Sequence, residues 1–201
     1  MTFYEKFYNT FCPLVNRLWR IEVIGAENIP GGGAILASNH TSFADPIVIS
    51  AAARRQVRYM AKKELFRTPL APLIKVLGAY PVDRSGADVT SVKRTIGLVE
   101  SGELVGIFPQ GHRHPGKDPR ETEIKHGVAM IAYRSGAPLV PVFIRTKGRR
   151  TRIFHKTEVI FGKPLSREDL GFSEGGRTEY AVAARILFDR ICSLEEEGAN
   201  A

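Results

Sequence analysis

One stretch of the sequence shows a strand, a turn and a helix in close succession. Residues 34–53 read AILASNHTSFADPIVISAAA. The apolar run 34–37 is typical of a buried strand and ends abruptly at polar residues. Asp45 followed by Pro46 is typical of a helix start, because Asp caps free N–H groups and Pro fits the first helical position. The pattern predicts a strand over 34–37 and a helix over 45–53.

The same alternation continues along the chain and predicts the fold class. Apolar runs predict further strands at 21–24, 57–61, 79–82, 104–108, 140–144 and 157–161. Helical patterns predict helices at 2–20, 68–77, 88–101, 124–134 and 178–193, with the acidic 195–197 as a frayed end. Short apolar strands that alternate with helices imply an α/β fold, with a largely parallel central sheet covered by helices.

The predicted N-terminal helix is amphipathic and rich in aromatic residues. Phe3, Phe7, Phe11, Leu14 and Leu18 repeat at helical spacing, with cations nearby. Such a helix can lie in a membrane interface, and the alternative is a helix packed on the core of its own domain. No run of about 18 apolar residues occurs, and the start lacks the pattern of a signal peptide. We therefore expect peripheral rather than spanning attachment to a membrane.

The composition predicts an anionic partner. Of 201 residues, 29 are Lys or Arg and 21 are Asp or Glu, which gives a net charge of +8. This surplus favours phosphate groups, nucleic acid or an acidic membrane surface. The basic residues are dispersed and no nucleic-acid motif is present, which argues against nucleic acid, and the basic run 148–152 is predicted to be a solvated hairpin. Cys12 and Cys192 are far apart, so we expect no disulfide framework and a reducing compartment.

Polar residues follow the predicted strands where an α/β sheet binds its ligands. His40, Lys62 and Arg84 each come just after a strand, and residues 110–113 follow another. Ligands of open α/β sheets bind outside the carboxyl ends of the strands. We therefore expect these side chains to converge on one rim of the sheet.

His40 and Asp45 are candidates for a catalytic dyad. Their spacing would place them on different faces of a continuous helix, but across a strand-to-helix turn they can meet. A carboxylate on one imidazole nitrogen fixes the tautomer and leaves the other nitrogen to act as a general base. The alternative is that His40 is a loop residue and Asp45 only a helix cap.

Several residues on the predicted rim are candidates for holding an anion. Arg84 and Arg113 carry planar donors that suit a phosphate, and Lys62 could add charge. Gly111 would let backbone N–H groups approach a ligand closely.

A metal site is the alternative interpretation of the histidines in this region. His112 and His114 lie two residues apart, and His126 follows. No carboxylate or cysteine cluster completes a site, and Arg113 brings like charge between the first two. We therefore expect no metal.

These residues fall in blocks that resemble the lysophosphatidic acid acyltransferases, the PlsC-type glycerolipid acyltransferases. Asn39 to Asp45 matches the family motif N-H-x-x-x-x-D. The further blocks follow in the family's order: KKEL at 62–65, GAYPVDR at 78–84, FPQGHR at 108–113, and VPV at 140–142. The resemblance covers about residues 20–165 and implies the glycerolipid acyltransferase fold.

The resemblance implies an activity and the residues that carry it. His40, held by Asp45, would take the proton from the free hydroxyl of 1-acyl-glycerol-3-phosphate. That oxygen would attack the thioester of acyl-CoA or acyl-carrier protein and give phosphatidic acid for phospholipid biosynthesis, with neither an acyl-enzyme nor a cofactor. The residues expected to bind the acceptor are Lys62, Arg84, Gln110, Gly111 and Arg113.

The resemblance also implies a domain division and a location. Residues 1–20 would be an N-terminal membrane-docking helix, and residues 21–201 the acyltransferase domain. The protein would lie at the cytoplasmic face of the cell membrane, with a lysophospholipid, an acyl donor and the membrane surface as partners. The alternatives are an O-acyltransferase for another lysolipid acceptor and an inactive lipid-binding relative.

The third block departs from the family's usual F-P-E-G-T-R. Gln110 stands where the family has Glu, and His112 where it has Thr. Gln keeps the size and an acceptor oxygen but loses the charge. The departure therefore concerns the identity of the acceptor more than the reaction, and we predict that Gln110 still positions the acceptor by hydrogen bonds.

Overall fold

The structure, a computed structural model, describes residues 3–69, 71–82 and 89–197, with side chains described from residue 10 onward. A seven-stranded sheet lies at its centre, in the order β1-β7-β6-β2-β5-β3-β4. The strands are β1 (Ile21–Ile24), β2 (Ala34–Ser38), β3 (Val57–Lys62), β4 (Ala79–Val82), β5 (Leu104–Ile107), β6 (Leu139–Thr146) and β7 (Thr157–Phe161). Every neighbouring pair is parallel except β6 and β7, so the predicted, largely parallel sheet is confirmed.

Helices cover both faces of this sheet. They are α1 (Phe3–Trp19), α2 (Asp45–Ala53), α3 (Ala71–Val76), α4 (Val89–Glu100), α5 (Gly127–Ser135) and α6 (Arg177–Glu197). Alternate residues of β2 enter two separate apolar clusters, because side chains alternate across a strand. Ile35 and Ala37 pack with α5 and α6, whereas Ala34 and Leu36 pack with α2. The central strand is therefore buried on both sides, as its unbroken apolar sequence predicts.

Helix α1 packs on the domain through one side of its C-terminal half. Cys12 and Val15 are buried against Ala51 of α2, while Leu14 is 54% exposed. The alternative of a helix packed on its own core therefore holds for this side. Within the described ranges, none of the helices combines the length and hydropathy that crossing a bilayer requires.

Some predicted boundaries are wrong for tertiary reasons. The helix predicted at 68–77 is confirmed as α3 but with shorter bounds, Ala71–Val76, and a 3₁₀ turn at Lys63–Arg67 precedes it. Helix α5 begins at Gly127 rather than 124, because the backbone N–H of Lys125 donates to Pro109 O (2.7 Å) and ties this stretch to a neighbouring loop. Residues 195–197 are not a frayed end: α6 continues through Glu197.

Candidate active site

The turn after β2 places His40 at the carboxyl edge of the sheet. Asn39 is buried, and its side-chain amide pairs with the backbone of Ile144 in both directions: Nδ2 donates to Ile144 O (3.1 Å) and Oδ1 accepts from Ile144 N (2.8 Å). The pairing of β2 with β6 ends at Ser38, so the Asn39 side chain takes the place of the next backbone unit. The chain can therefore leave the sheet at once, and His40 stands directly after the strand.

His40 and Asp45 meet across this turn. His40 Nδ1 lies 2.9 Å from Asp45 Oδ2, and Asp45 is completely buried. Because an ionised carboxylate only accepts hydrogen bonds, Nδ1 carries the proton and donates it. The neutral ring is thereby held in the tautomer whose Nε2 has a free lone pair.

The Asp45 carboxylate is surrounded by donors. Its Oδ2 also accepts from the backbone N–H groups of Thr41 (2.6 Å) and Ser42 (2.7 Å), and its Oδ1 accepts from the hydroxyls of Thr151 (2.7 Å) and Thr41 (3.3 Å). A buried charge is tolerated only with such partners, and the N-terminus of α2 adds a favourable dipole. The alternative of Asp45 as a helix cap is wrong, because these N–H groups belong to the preceding turn and Ala44 is the cap residue.

Thr151 is a contributor that sequence analysis missed. It lies in the loop between β6 and β7, is 4% exposed, and reaches Asp45 from 106 residues away in the chain. The expectation of a solvated hairpin at 148–152 is therefore wrong for this residue. It also fails for Arg149, which forms ion pairs with Asp118 (2.9 Å) and Glu195 (3.0 Å). No local pattern signals these contacts, because each partner comes from a distant segment.

An aromatic stack fixes the plane of the His40 ring. The imidazole lies on Phe108, with ring centroids 3.8 Å apart and planes 13° apart, and Phe108 in turn stacks on Tyr59 at 5.8 Å. Gly106 on β5 leaves the space for Tyr59, since a Cβ at this position would lie 2.0 Å from the Tyr59 ring. The ring is therefore held by the stack as well as by the hydrogen bond to Asp45.

Gln110 links the His40 turn to the loop that follows β5. Its Oε1 accepts from the backbone N–H of His40 (2.7 Å), and its Nε2 donates to Thr122 Oγ1 (2.7 Å). The Thr122 hydroxyl donates in turn to Pro119 O (2.7 Å). Gln110 is 3% exposed, and two hydrogen-bonding groups of its side chain, the carbonyl oxygen and one N–H, are already bonded within the protein. These contacts brace His40 and leave fewer groups for an acceptor than the sequence suggested.

The predicted anion-binding residues are distributed along the rim. Arg113 is exposed, and its guanidinium carbon lies 5.5 Å from the ring centroid of Phe43, two residues before Asp45. Gly111 adopts a φ of 71°, which favours glycine. Lys62 is exposed at the end of β3, separated from β2 by β5. The structure thus brings Gln110 to His40 and Arg113 to Phe43 in the same turn, with Gly111 between them in sequence. It places Lys62 further along the edge and does not describe Arg84.

A groove of about 220 Å³ opens beside Gln110. Its lining residues are Gln110, His112, His114, Lys117, Glu121, Thr122, Glu123 and Lys125.

The backbone N–H of His114 donates to His40 O (2.8 Å). Partial burial, together with the positive charge of Lys117 and of the nearby His112 and His40, lowers the pKa of the His114 imidazole and so favours its neutral form. Over the described part of the chain, no group of three or more His, Cys, Asp or Glu residues is arranged to hold a metal ion.

Neither cysteine offers a nucleophile near the dyad. Cys12 and Cys192 are both buried and unpaired. Burial raises the pKa of the Cys192 thiol to about 11 and raises that of Cys12 as well. A thiol with a raised pKa is protonated at neutral pH and is a weak nucleophile.

A mostly parallel α/β sheet with a His–Asp pair in the turn after its central strand is what the resemblance to the glycerolipid acyltransferases implies. The chain belongs to the Acyltransferase family, whose profile matches residues 20–145. It is 32% identical over 182 residues to the 1-acyl-sn-glycerol-3-phosphate acyltransferase of Bacillus subtilis, covering 88% of this chain and 89% of that protein.

Further relatives and a solved structure agree with this assignment. The chain is 30% identical over 155 residues to the protein of the same name from Borreliella burgdorferi, covering 73% of this chain and 58% of that one. The crystal structure of the 1-acyl-sn-glycerophosphate acyltransferase PlsC from Thermotoga maritima superposes with a TM-score of 0.71. The identity is 25%, and the match covers 98% of this chain and 78% of the other.

Proposed function

We propose that this protein transfers an acyl chain from a thioester donor to the free hydroxyl of 1-acyl-glycerol-3-phosphate, giving phosphatidic acid for phospholipid biosynthesis. The observation that carries the proposal is the His40–Asp45 pair. Its hydrogen bond directs the free lone pair to Nε2, at the sheet edge where α/β proteins bind ligands. The activity named for the relatives supports the same acceptor.

In the proposed reaction, His40 Nε2 takes the proton of the acceptor hydroxyl as its oxygen attacks the thioester carbonyl. A new C–O ester bond forms and the C–S bond breaks. The proton on Nε2 then passes to the leaving sulfur and releases a free thiol. General-base catalysis of this kind is worth about 10²–10⁴ in rate. Asp45 holds the ring and balances the charge that develops on it, and the acyl thioester is a co-substrate, so the reaction needs no resident cofactor.

The acceptor phosphate would be held on the cationic rim. Arg113 packs on Phe43 in the dyad turn and Lys62 lies at the end of β3. We assign Arg84 to the same group because it falls in the block at 78–84 that resembles the family motif. A guanidinium can bind a phosphate with paired hydrogen bonds. Gly111 would allow close approach of the acceptor, and Gln110 would brace His40 beside it. The donor is either acyl-CoA or acyl-carrier protein, since both are anionic and suit the net charge of +8.

The proposal extends to location: residues 1–20 would dock the domain of residues 21–201 on the cytoplasmic face of the cell membrane. A lysolipid acceptor resides at a bilayer surface, so the enzyme must reach it there. Leu14 is 54% exposed on α1, on the helix whose other side packs on the domain. An exposed apolar side of a surface helix with cations nearby suits a lipid interface.

The test is acyl transfer by the purified protein. Labelled acyl-CoA and acyl-carrier protein are each offered with a panel of lysolipids, and His40→Ala is compared with His126→Ala, an exposed histidine in front of α5. We expect phosphatidic acid from the wild type and from His126→Ala, and loss of about 10²-fold or more in His40→Ala. Transfer only to another lysolipid would indicate that Gln110 and His112, the two departures from the family motif, determine which acceptor is used. No transfer by a folded protein in lipid would favour the inactive lipid-binding alternative.

A further inference from the structure

The loop between β6 and β7, residues 147–156, carries exposed apolar side chains. Ile153 is 46% exposed and Phe154 is 72% exposed. Phe154 also has a φ of 65°, a left-handed conformation that is unfavourable for a bulky residue. Strain of this kind persists only where the surroundings impose it, and it is concentrated at functional sites.

Hydrogen bonds hold this loop in place on both sides of Ile153. The backbone N–H of Gly116 donates to Arg149 O (3.0 Å), and the Thr151 hydroxyl donates to Asp45 Oδ1 (2.7 Å). The backbone N–H of Phe154 donates to Leu18 O in the last turn of α1 (2.6 Å). The exposure of the two apolar side chains is therefore a property of a well-anchored loop.

The loop also carries an excess of positive charge. Two of its cations are neutralised by carboxylates, Arg149 by Asp118 and Glu195 and Lys156 by Glu22 and Glu158. Three others are exposed, and the described part of the chain offers them no ion-pair partner: Lys147, Arg150 and Arg152. Apolar side chains flanked by unpaired cations are the pattern of a segment that enters an anionic lipid interface.

We propose that the β6–β7 loop is a second membrane-docking element, in which Ile153 and Phe154 enter an anionic bilayer surface while Arg150 and Arg152 bind lipid phosphates. The proposal rests on the proposed function, because the acceptor lipid lies in that same surface. The bond from Phe154 to Leu18 makes the loop continuous with α1. An acidic protein partner would use the cations but would leave the exposed Phe154 unexplained, so the lipid surface is the better occupant.

This arrangement places the catalytic dyad at the level of the lipid headgroups. Phe154 follows Thr151 by three residues, a span of at most about 10 Å. Thr151 contacts Asp45 directly. An interfacial segment enters a bilayer by about 5–10 Å. Insertion of Phe154 would therefore hold His40 and Asp45 where the free hydroxyl of a lysolipid is exposed.

The test measures binding of the full chain to vesicles of phosphatidylglycerol and phosphatidylcholine by co-sedimentation. The main variant is Ile153→Ser with Phe154→Asn, because Asn tolerates the left-handed backbone of position 154. The matched control is Val182→Ser with Ile186→Ser, which removes apolar side chains of comparable type, 53% and 36% exposed, from α6. We expect the main variant to bind about tenfold more weakly and the control to bind as the wild type does.

Further variants separate the contributions of charge and of α1. Arg150→Ser with Arg152→Ser is expected to weaken binding to anionic vesicles by about tenfold, with no effect on vesicles of phosphatidylcholine alone. Leu14→Ser tests α1 by itself. Wild-type vesicle binding by the Ile153/Phe154 variant would overturn the proposal. Unchanged vesicle binding with a raised KM for acyl-carrier protein would overturn it too, and would assign the loop to that protein.

Activity measurements keep this proposal distinct from the proposed function. The Ile153/Phe154 variant is expected to retain wild-type activity on a water-soluble, short-chain lysophosphatidic acid and to lose activity on the same headgroup embedded in vesicles. Equal losses on both substrates would show damage to the dyad through Thr151 and would contradict a docking role. If the wild type is inactive on both, the proposed function fails, while the vesicle-binding result still decides the role of the loop.

Discussion

The turn that carries His40 and the rim that carries Arg113 lie side by side but are built differently. In the turn, Asp45 is completely buried and all its carboxylate contacts lie within the protein. On the rim, Arg113 is exposed and packs against a half-exposed Phe43. The comparison indicates that the proposed base is oriented before any substrate arrives, whereas the Arg113 guanidinium lies exposed at the surface, where a phosphate can reach it.

The strongest test of this difference is Asp45→Asn. The amide is uncharged, so it cannot balance the charge that develops on the ring. It also replaces one of the two accepting oxygens with an N–H₂ group, which weakens the control of the His40 tautomer. We expect kcat to fall by about 10²–10⁴-fold, with little change in the KM for the acceptor. Steady-state kinetics measure this, and Asp189→Asn on the exposed side of α6 is the control. A raised acceptor KM with unchanged kcat would instead show that Asp45 binds the acceptor. The difference between the turn and the rim would then disappear.

On the rim, Arg113→Ala should produce the opposite kinetic signature. Loss of a charged hydrogen bond to phosphate is expected to raise the KM for lysophosphatidic acid by about tenfold to a hundredfold, with kcat nearly unchanged. Arg113→Lys should recover part of the affinity, because it keeps the charge but not the paired donors. Monoacylglycerol, which lacks the phosphate, is the control acceptor. Equal effects on both acceptors would show that Arg113 does not bind the phosphate.

The His40 turn was largely predictable from the sequence because its signals are local. The apolar run of β2 and the Asp45-Pro46 helix start lie within a few residues of each other, and they correctly predicted the strand, the turn and the helix. The proximity of His40 and Asp45 follows from the short turn between these elements. The role of Asn39 in ending β2 is also local, although its partner, Ile144, lies far along the chain.

The surroundings of the dyad could not be predicted because they depend on contacts between distant segments. Thr151 reaches Asp45 only because the antiparallel β6–β7 pair returns its loop to the carboxyl edge of the sheet. From its composition alone, the acidic end of α6 at 195–197 is expected to be exposed to solvent. Yet Glu195 is paired with Arg120 and Arg149, which come from separate loops. Hydropathy and residue spacing along the chain do not indicate such contacts between distant segments.

Thr151→Val tests whether the turn depends on this distant contact. Val has nearly the same shape, so the change removes the hydroxyl donor to Asp45 and leaves the packing intact. The loss of a hydrogen bond to a buried charge is expected to lower the free energy of unfolding by about 1.5–3 kcal/mol and kcat by about tenfold. Denaturant unfolding and steady-state kinetics measure the two effects, and Thr151→Ser, which keeps the hydroxyl, should restore both. Unchanged values in Thr151→Val would mean that the local turn alone holds the dyad.

The smallest expected effect belongs to Gln110, which stands between the two regions. Its bond to the His40 N–H places it with the turn, whereas the sequence placed it with the rim as an acceptor-binding group. Gln110→Ala should lower kcat by about fivefold, the value of one hydrogen bond, without changing the acceptor KM. Gln110→Glu should retain kcat, because a carboxylate accepts the same N–H. If Gln110→Ala instead raises the acceptor KM at constant kcat, Gln110 binds the acceptor. It would then belong to the rim rather than to the turn.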